Sequence, residues 1–142
     1  MEERFVALDV GGRRIGVAAS TIGTMAVPVE TVEARDKKKA ARRVVALLKE
    51  YDSADLVVGW PLDMQGREGR ATDRVRDFLE VLEAELDHRG LEVKIHKWDE
   101  RLTSTAADRV LDAHGVSWQK RRERIDQIAA CHILQGFLDQ SR

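Results

Sequence analysis

Three apolar runs, residues 5–10, 14–20 and 25–32, follow one another at the start of the chain, joined by Gly11-Gly12 and by residues 21–24. A parallel connection needs a dozen or more residues, so links this short restrict the three runs to an antiparallel meander. Pro28 falls inside the third run, and proline cannot donate to a ladder, which assigns that strand to a sheet edge. A helix over residues 36–51 follows, with Ala41, Val44, Val45 and Leu48 at helical spacing, and then a short strand over 55–59. A helix between strands makes the next pairing parallel. A loop through Gly59-Trp60-Pro61, Gly66 and Gly69 leads into a second helix carrying Val75, Phe78, Leu79, Leu82 and Leu86. The fifth strand is expected over residues 91–98, where Leu91, Val93 and Ile95 alternate with Glu92, Lys94 and His96 as on a half-exposed outer strand. A short helix over 103–113 and a last helix over 119–138 complete the order βββαβαβαα. Its natural strand order is 3-2-1-4-5, with strand 2 antiparallel and helices on both faces, an α/β layout.

That layout resembles the ribonuclease H-like fold, and it puts the ends of strands 1, 4 and 5 along one rim, where open α/β sheets keep their ligands. Three carboxylates are directed there. Asp9 lies in a run that is apolar on both alternating faces, so its charge is expected to point inward. Asp126 has Ala130, Ile133 and Phe137 at i+4, i+7 and i+11, an apolar stripe that turns it toward the core. Glu100 follows directly on the fifth strand. An ionised carboxylate removed from water is costly unless it is paired, hydrogen-bonded or bound to a metal.

Each acid also has a structural reading. Asp9 can support the hairpin turn, Glu100 can favour the N-terminus of a helix at Thr103 through the dipole, and Asp126 can pair with Arg122 or Arg13. Taken together, three inward or rim carboxylates beside basic clusters favour a metal centre. Hard oxygen ligands select Mg²⁺ or Mn²⁺ over zinc, and two ions suit in-line attack on a phosphodiester.

The 142 residues fit one domain, 1–142. With 43% hydrophobic and 35% charged residues and two prolines, the chain is expected to fold rather than remain disordered. It has no long apolar run or leader pattern, so a cytoplasmic protein without membrane attachment is expected. One cysteine, Cys131, allows neither a disulfide framework nor a cysteine zinc site. A net charge of −1 lacks the overall basic character of many nucleic-acid binders, yet the charge is clustered. Arg35, Lys37, Lys38, Lys39, Arg42 and Arg43 crowd the start of one helix, and Lys120, Arg121, Arg122 and Arg124 the start of the last. A solvated face is the simplest reading of one such run, but cations there oppose the helix dipole, and two clusters invite a polyanion.

Four blocks, Asp9-Val10-Gly11-Gly12-Arg13-Arg14-Ile15-Gly16-Val17-Ala18, Val57-Val58-Gly59-Trp60-Pro61-Leu62, Asp99-Glu100-Arg101-Leu102-Thr103-Ser104 and Asp126-Gln127-Ile128-Ala129-Ala130, resemble the signature blocks of the bacterial YqgF family. They cover nearly the whole chain in order. That family groups Holliday-junction-resolvase-like proteins proposed as pre-16S ribosomal RNA nucleases. The resemblance implies a cytoplasmic hydrolase of nucleic-acid phosphodiesters, acting in 5′-end maturation of the small-subunit rRNA, with Asp9, Glu100 and Asp126 as catalytic acids and metal ligands. It departs from the wider resolvases at one slot, because those enzymes usually take an acid from the strand beside the first, and here that slot is Gly59-Trp60-Pro61. Glu123 is a candidate fourth acid. Arg13, Arg14, Gly59, Pro61, Arg101, Lys120, Arg121 and Arg122 are the expected substrate contacts, with residues 59–72 as a flap over the rim. Thr103 and Ser104 suit helix caps, and His88, His96, His114 and His132 suit structural roles.

Two other classes fit parts of the pattern. An actin-like phosphotransferase also opens on an Asp-x-Gly hairpin but needs two such domains. A non-catalytic RNA-binding assembly factor would use the basic clusters alone. Substrate form stays open among ribosomal precursor, single strands and branched junctions, and a branched substrate favours a homodimer.

Overall fold

The computed structural model describes residues 4–22, 25–102 and 125–140. Its five strands are β1 (Phe5–Val10), β2 (Arg14–Ile22), β3 (Met25–Glu33), β4 (Asp55–Trp60) and β5 (Lys94–Asp99). The helices are α1 (Lys37–Glu50), α2 (Arg70–His88) and α3 (Ile125–Gln140), with a 3-10 turn at Glu100–Leu102. The sheet runs β3-β2-β1-β4-β5, as the connection lengths require. β1 pairs β2 and β2 pairs β3 antiparallel, while β4 lies parallel to β1 and β5 parallel to β4. Pro28 sits on the edge strand beside a register shift, opposite Ala18, where its missing N–H interrupts little.

The fifth strand corrects the sequence reading. It starts at Lys94 rather than Leu91, and its first ladder bond runs from Lys94 N to the Ala54 carbonyl at 2.9 Å. Residues 91–93 belong to the exit from α2. Gly90 takes a φ of +66°, and Leu91 N donates back to the Leu86 carbonyl at 2.9 Å. This closes the helix with glycine in the left-handed region and a hydrophobic residue packed behind it. Alternation therefore marked which side chains turn inward, while backbone pairing begins three residues later. The expected half-exposed pattern also fails at His96, which is packed near the rings of Phe5 and Phe137 beneath α3.

Alternation along the inner strands divides the core in two. Val6, Leu8, Val10, Ile15, Val17, Leu56 and Val58 face α1 and α2, meeting Val44, Val45, Leu48, Phe78 and Leu82. Phe5, Ala7, Ala18, Ala26 and Val57 face α3, meeting Ala130, Ile133, Leu134 and Leu138. Burying each large aliphatic or aromatic side chain contributes about 1.5–3 kcal/mol.

The α3 side is built from smaller residues, so the helix lies close to the sheet. At Gly16 a Cβ would overlap the Asp126 carbonyl, and at Gly136 it would come within 3.2 Å of the Trp98 indole nitrogen. Ala26 N also donates to Gln135 Oε1 at 3.0 Å, fixing the helix along its length. The start of α3 is thereby pinned over β2. The segment expected as a short helix over 103–113, and residues 119–124 of the last helix, lie outside the described residues.

Candidate active site at one rim of the sheet

Phe5, Ala7 and Asp9 occupy the same face of β1, so the alternation that buries the first two against α3 also carries Asp9 to that side. Asp9 is one residue from the end of β1, paired with Gly16. Asp126 enters from the first turn of α3, directly above that glycine. Glu100 opens the 3-10 turn after β5 and reaches back across β4. Its path is provided by Gly59. A Cβ there would lie 2.5 Å from Glu100 Oε1 and 2.5 Å from Ile133 Cδ1, so the carboxylate uses space that any other residue at 59 would fill.

The pair at the centre is Asp9 and Glu100, which share a hydrogen bond. Burial, then the charge and hydrogen bond of Asp9, then the charge of Asp99 push the Glu100 carboxyl from 4.5 up to about 7. Burial and the charge of Asp126 raise Asp9, while the hydrogen bond from Glu100 opposes them. The desolvated pair thus tends to hold one proton between two carboxyls. Asp126 is tied to Arg14, whose Nε lies 3.0 Å from Oδ2, with side chains 26% and 64% exposed. Of the two partners expected for Asp126 in its structural reading, Arg122 lies outside the described residues, and among the described residues the partner is Arg14 rather than Arg13. Among the described residues no three His, Cys, Asp or Glu side chains are drawn together tightly enough to enclose an ion.

The expected contacts distribute unevenly. Arg13 and Arg14 are exposed on the hairpin turn, which closes through Gly11 N to the Arg14 carbonyl at 2.9 Å. Gly59 is buried beneath Glu100, and Pro61 begins the loop after β4. Arg101 is held by Asp99, with Nη2 2.7 Å from Oδ2, and its guanidinium packs against Gly66 in the loop. Lys120, Arg121, Arg122, Glu123, Thr103, Ser104 and His114 lie outside the described residues. His96 pairs with Asp55 at 2.9 Å, at the opposite end of the strands. Two positions escaped the sequence reading. Gly16 was read only as part of a strand and family block, although a glycine inside a strand is itself a signal of close backbone approach. Arg74, from α2, lies over Gly12 with Nε 3.6 Å from where a Cβ would stand, a meeting across sixty residues that no local pattern announces.

The raised carboxyls fix the sign of one pH effect in metal-free protein. Between the ordinary value of 4.5 and about 7, folded protein binds more protons at Glu100 than unfolded chain does. This contribution to stability is present at low pH and lost as pH rises through about 7. Melting temperatures in a chelator are expected to fall from about pH 5 to about pH 8, less so in Glu100→Gln. An equal fall in both proteins would remove Glu100 as the source.

A family model described as RuvX, Holliday junction resolvase, matches residues 3–140. A Roseiflexus relative is 41% identical over 140 residues, covering 98% of this chain and 96% of its own. One from Streptomyces coelicolor is 43% identical over 141 residues, covering 98% and 81%. Both carry the provisional name pre-16S rRNA nuclease. Thermus thermophilus RuvC, solved in complex with a Holliday junction substrate, superposes with a TM-score of 0.68 at 14% identity, covering 99% of this chain and 96% of that one. The fold is the RuvC-like, ribonuclease H-like one.

Proposed function

Because the chain belongs to the RuvX family of Holliday junction resolvases, we propose that it is a metal-dependent nuclease of the cytoplasm that cleaves phosphodiesters in maturation of the pre-16S rRNA 5′ end. The observation that carries this reading is the hydrogen-bonded Asp9–Glu100 pair with Asp126 coupled to it, all on the α3 face at one rim. Two desolvated carboxyls sharing a proton are an unfavourable arrangement that a divalent cation relieves, and hard oxygen donors fit Mg²⁺ or Mn²⁺. Asp9, Glu100 and Asp126 would hold the ions, with Asp126 exchanging its ion pair with Arg14. When bound, the ions supply Lewis acidity toward phosphoryl oxygens and make water a nucleophile at neutral pH.

The chain's own groups account for the remainder. Asp9 holds the central place between the other two acids. Glu100 releases the proton it shares with Asp9 when a cation takes that place. Ile133 and Gly59 close the floor against water. Arg13 and the hairpin turn meet the substrate backbone, with Pro61 and the following loop at the other side of the rim and Arg101 held ready by Asp99. The segment with Lys120, Arg121 and Arg122 adds further cations near the start of the last helix. No described helix is long and apolar enough to cross a membrane.

The test is a cleavage panel of rRNA precursor, single-stranded RNA and DNA, and four-way junctions, with Mg²⁺, Mn²⁺ or chelator. Metal-dependent cutting of the precursor into 5′-phosphate ends, absent in chelator and strongly reduced in Glu100→Gln, is the expected result. Failure of clean protein to cut anything would end the nuclease reading. A preference for junctions, favoured by the description of the family model, would assign the chain to branched DNA instead and would call for a homodimer by mass in solution.

A further inference from the structure

Charge on this nearly neutral chain is divided between the two ends of the sheet. Around the strand starts, a groove of about 700 Å³ includes Asp55, Glu83, Asp87 and Glu92 against the single cation Lys94. At the end that carries the acid pair, one groove has the opposite balance. It measures about 470 Å³ and is lined by Arg13, Arg14, Thr31, Glu33 and Arg35. The backbone sets this grouping, because Arg14 is the register partner of Glu33 and Ala34 N donates to the Arg13 carbonyl at 2.8 Å. Three arginines are therefore delivered to one short stretch of rim. The groove adjoins α3 through Thr31, whose hydroxyl accepts from Gln127 Nε2 at 3.3 Å, next to Asp126.

The arginines differ in what already holds them. Arg14 is committed to Asp126. Among the described residues Arg35 has only a loose exposed pair, 3.7 Å from Glu33, with 73% of its side chain in solvent. Such a pair contributes little and is easily exchanged. Among the described residues, Arg13 and Arg74 have no carboxylate partner within ion-pair distance. Arg74 approaches the same hairpin from the other side, lying over Gly12, where the missing side chain leaves the backbone open. Planar guanidinium groups held at a rim and facing solvent suit phosphate oxygens, which they can grip with two N–H donors.

We propose that Arg13, Arg35 and Arg74 form a phosphate-gripping track that straddles the β1–β2 hairpin and holds a substrate strand by its backbone beside the Asp9–Glu100 pair. The track rests on the nuclease reading for its orientation but makes a separate prediction about binding. Its ligand is the sugar-phosphate backbone, read without regard to base. The acidic groove at the far end repels the same polyanion, so a strand arrives at the rim and not elsewhere.

The experiment measures binding of a labelled single-stranded RNA of about 20 nucleotides, a span matched to several cation contacts, by fluorescence anisotropy in chelator across a salt series. Arg35→Ala and Arg74→Ala are each expected to weaken binding several-fold at low salt. Each should also reduce the slope of log affinity against log salt by about 0.7, one released counterion per lost contact. Arg35→Lys and Arg74→Lys should restore the slope but not the full affinity. Lys49→Ala, which removes a cation from the last turn of α1, is the control and should leave the slope in place. Slopes unchanged in both alanine variants, or an equal drop in the control, would overturn the track. If the wild type cuts no substrate in the cleavage panel and the slopes still fall, the track stands and the nuclease reading fails. Cutting with unchanged slopes gives the reverse.

Discussion

Replacing Gly16 by alanine is expected to cost this protein about 3 kcal/mol or more, although it adds a single methyl group. The position is buried in β2, and the new Cβ would occupy the space of the Asp126 carbonyl oxygen. A flexible side chain could swing aside, but the obstacle is the backbone of α3 at its first turn. Relief requires the helix to lift from the sheet. That would strip contacts between α3 and the small residues Ala7 and Ala18, and loosen the bond from Ala26 N to Gln135. Overpacking elsewhere in a core typically costs about 1–3 kcal/mol, and an immovable neighbour puts this case at the upper end. Thermal unfolding should fall by roughly 10 °C, with amide exchange accelerating first in α3. A melting temperature within about a degree or two of wild type would mean that the helix accommodates the methyl and that the close approach is not required.

Asp9→Asn tests the opposite combination, a large loss of activity with little loss of fold. Asparagine keeps the shape of the side chain and can still hydrogen-bond to Glu100, but it removes the charge that raises Glu100 and is itself disfavoured by burial and by Asp126. Removing one of several crowded carboxylates relieves repulsion, so the melting temperature in chelator should stay level or rise. Cleavage should fall by at least about 10²–10³-fold, the scale seen when a preorganised electrostatic contact to the reacting group is lost. Stabilisation of the folded protein by added Mn²⁺ should shrink with it. Activity surviving in a well-folded Asp9→Asn protein would make Asp9 a structural residue and detach the chemistry from this rim.

The strand order could be read before any coordinates because its determinants are short-range. Links of two to four residues allow only hairpins, helices between strands enforce parallel pairing, and Pro28 marks an edge. Asp9 and Asp126 were legible for a similar reason, since the apolar neighbours of each on its own element dictate where it points. Leu91 to Val93 misled because side-chain alternation reports burial, and the turn after α2 buries Leu91 without joining the ladder. Contacts between elements distant in the chain were beyond the reach of periodicity. The ion pair of Arg14 with Asp126 and the placement of Arg74 over Gly12 arise only when α2 and α3 dock on the sheet. Glu100 stands between these cases. Its family block named it, but its reach across β4 depends on an absent side chain at Gly59.

Gly59 leaves one volume open to two segments of the chain. In space the carboxylate of Glu100 lies close to where a side chain from position 59 would begin, so an acid could be transferred from position 100 to position 59 without leaving that volume. A parallel sheet permits such a transfer, because the tail of each strand and the turn beyond its neighbour open onto the same volume. Gly59→Asp combined with Glu100→Ala would attempt that transfer, and metal binding by the double variant would show that the site depends on a location rather than on one residue.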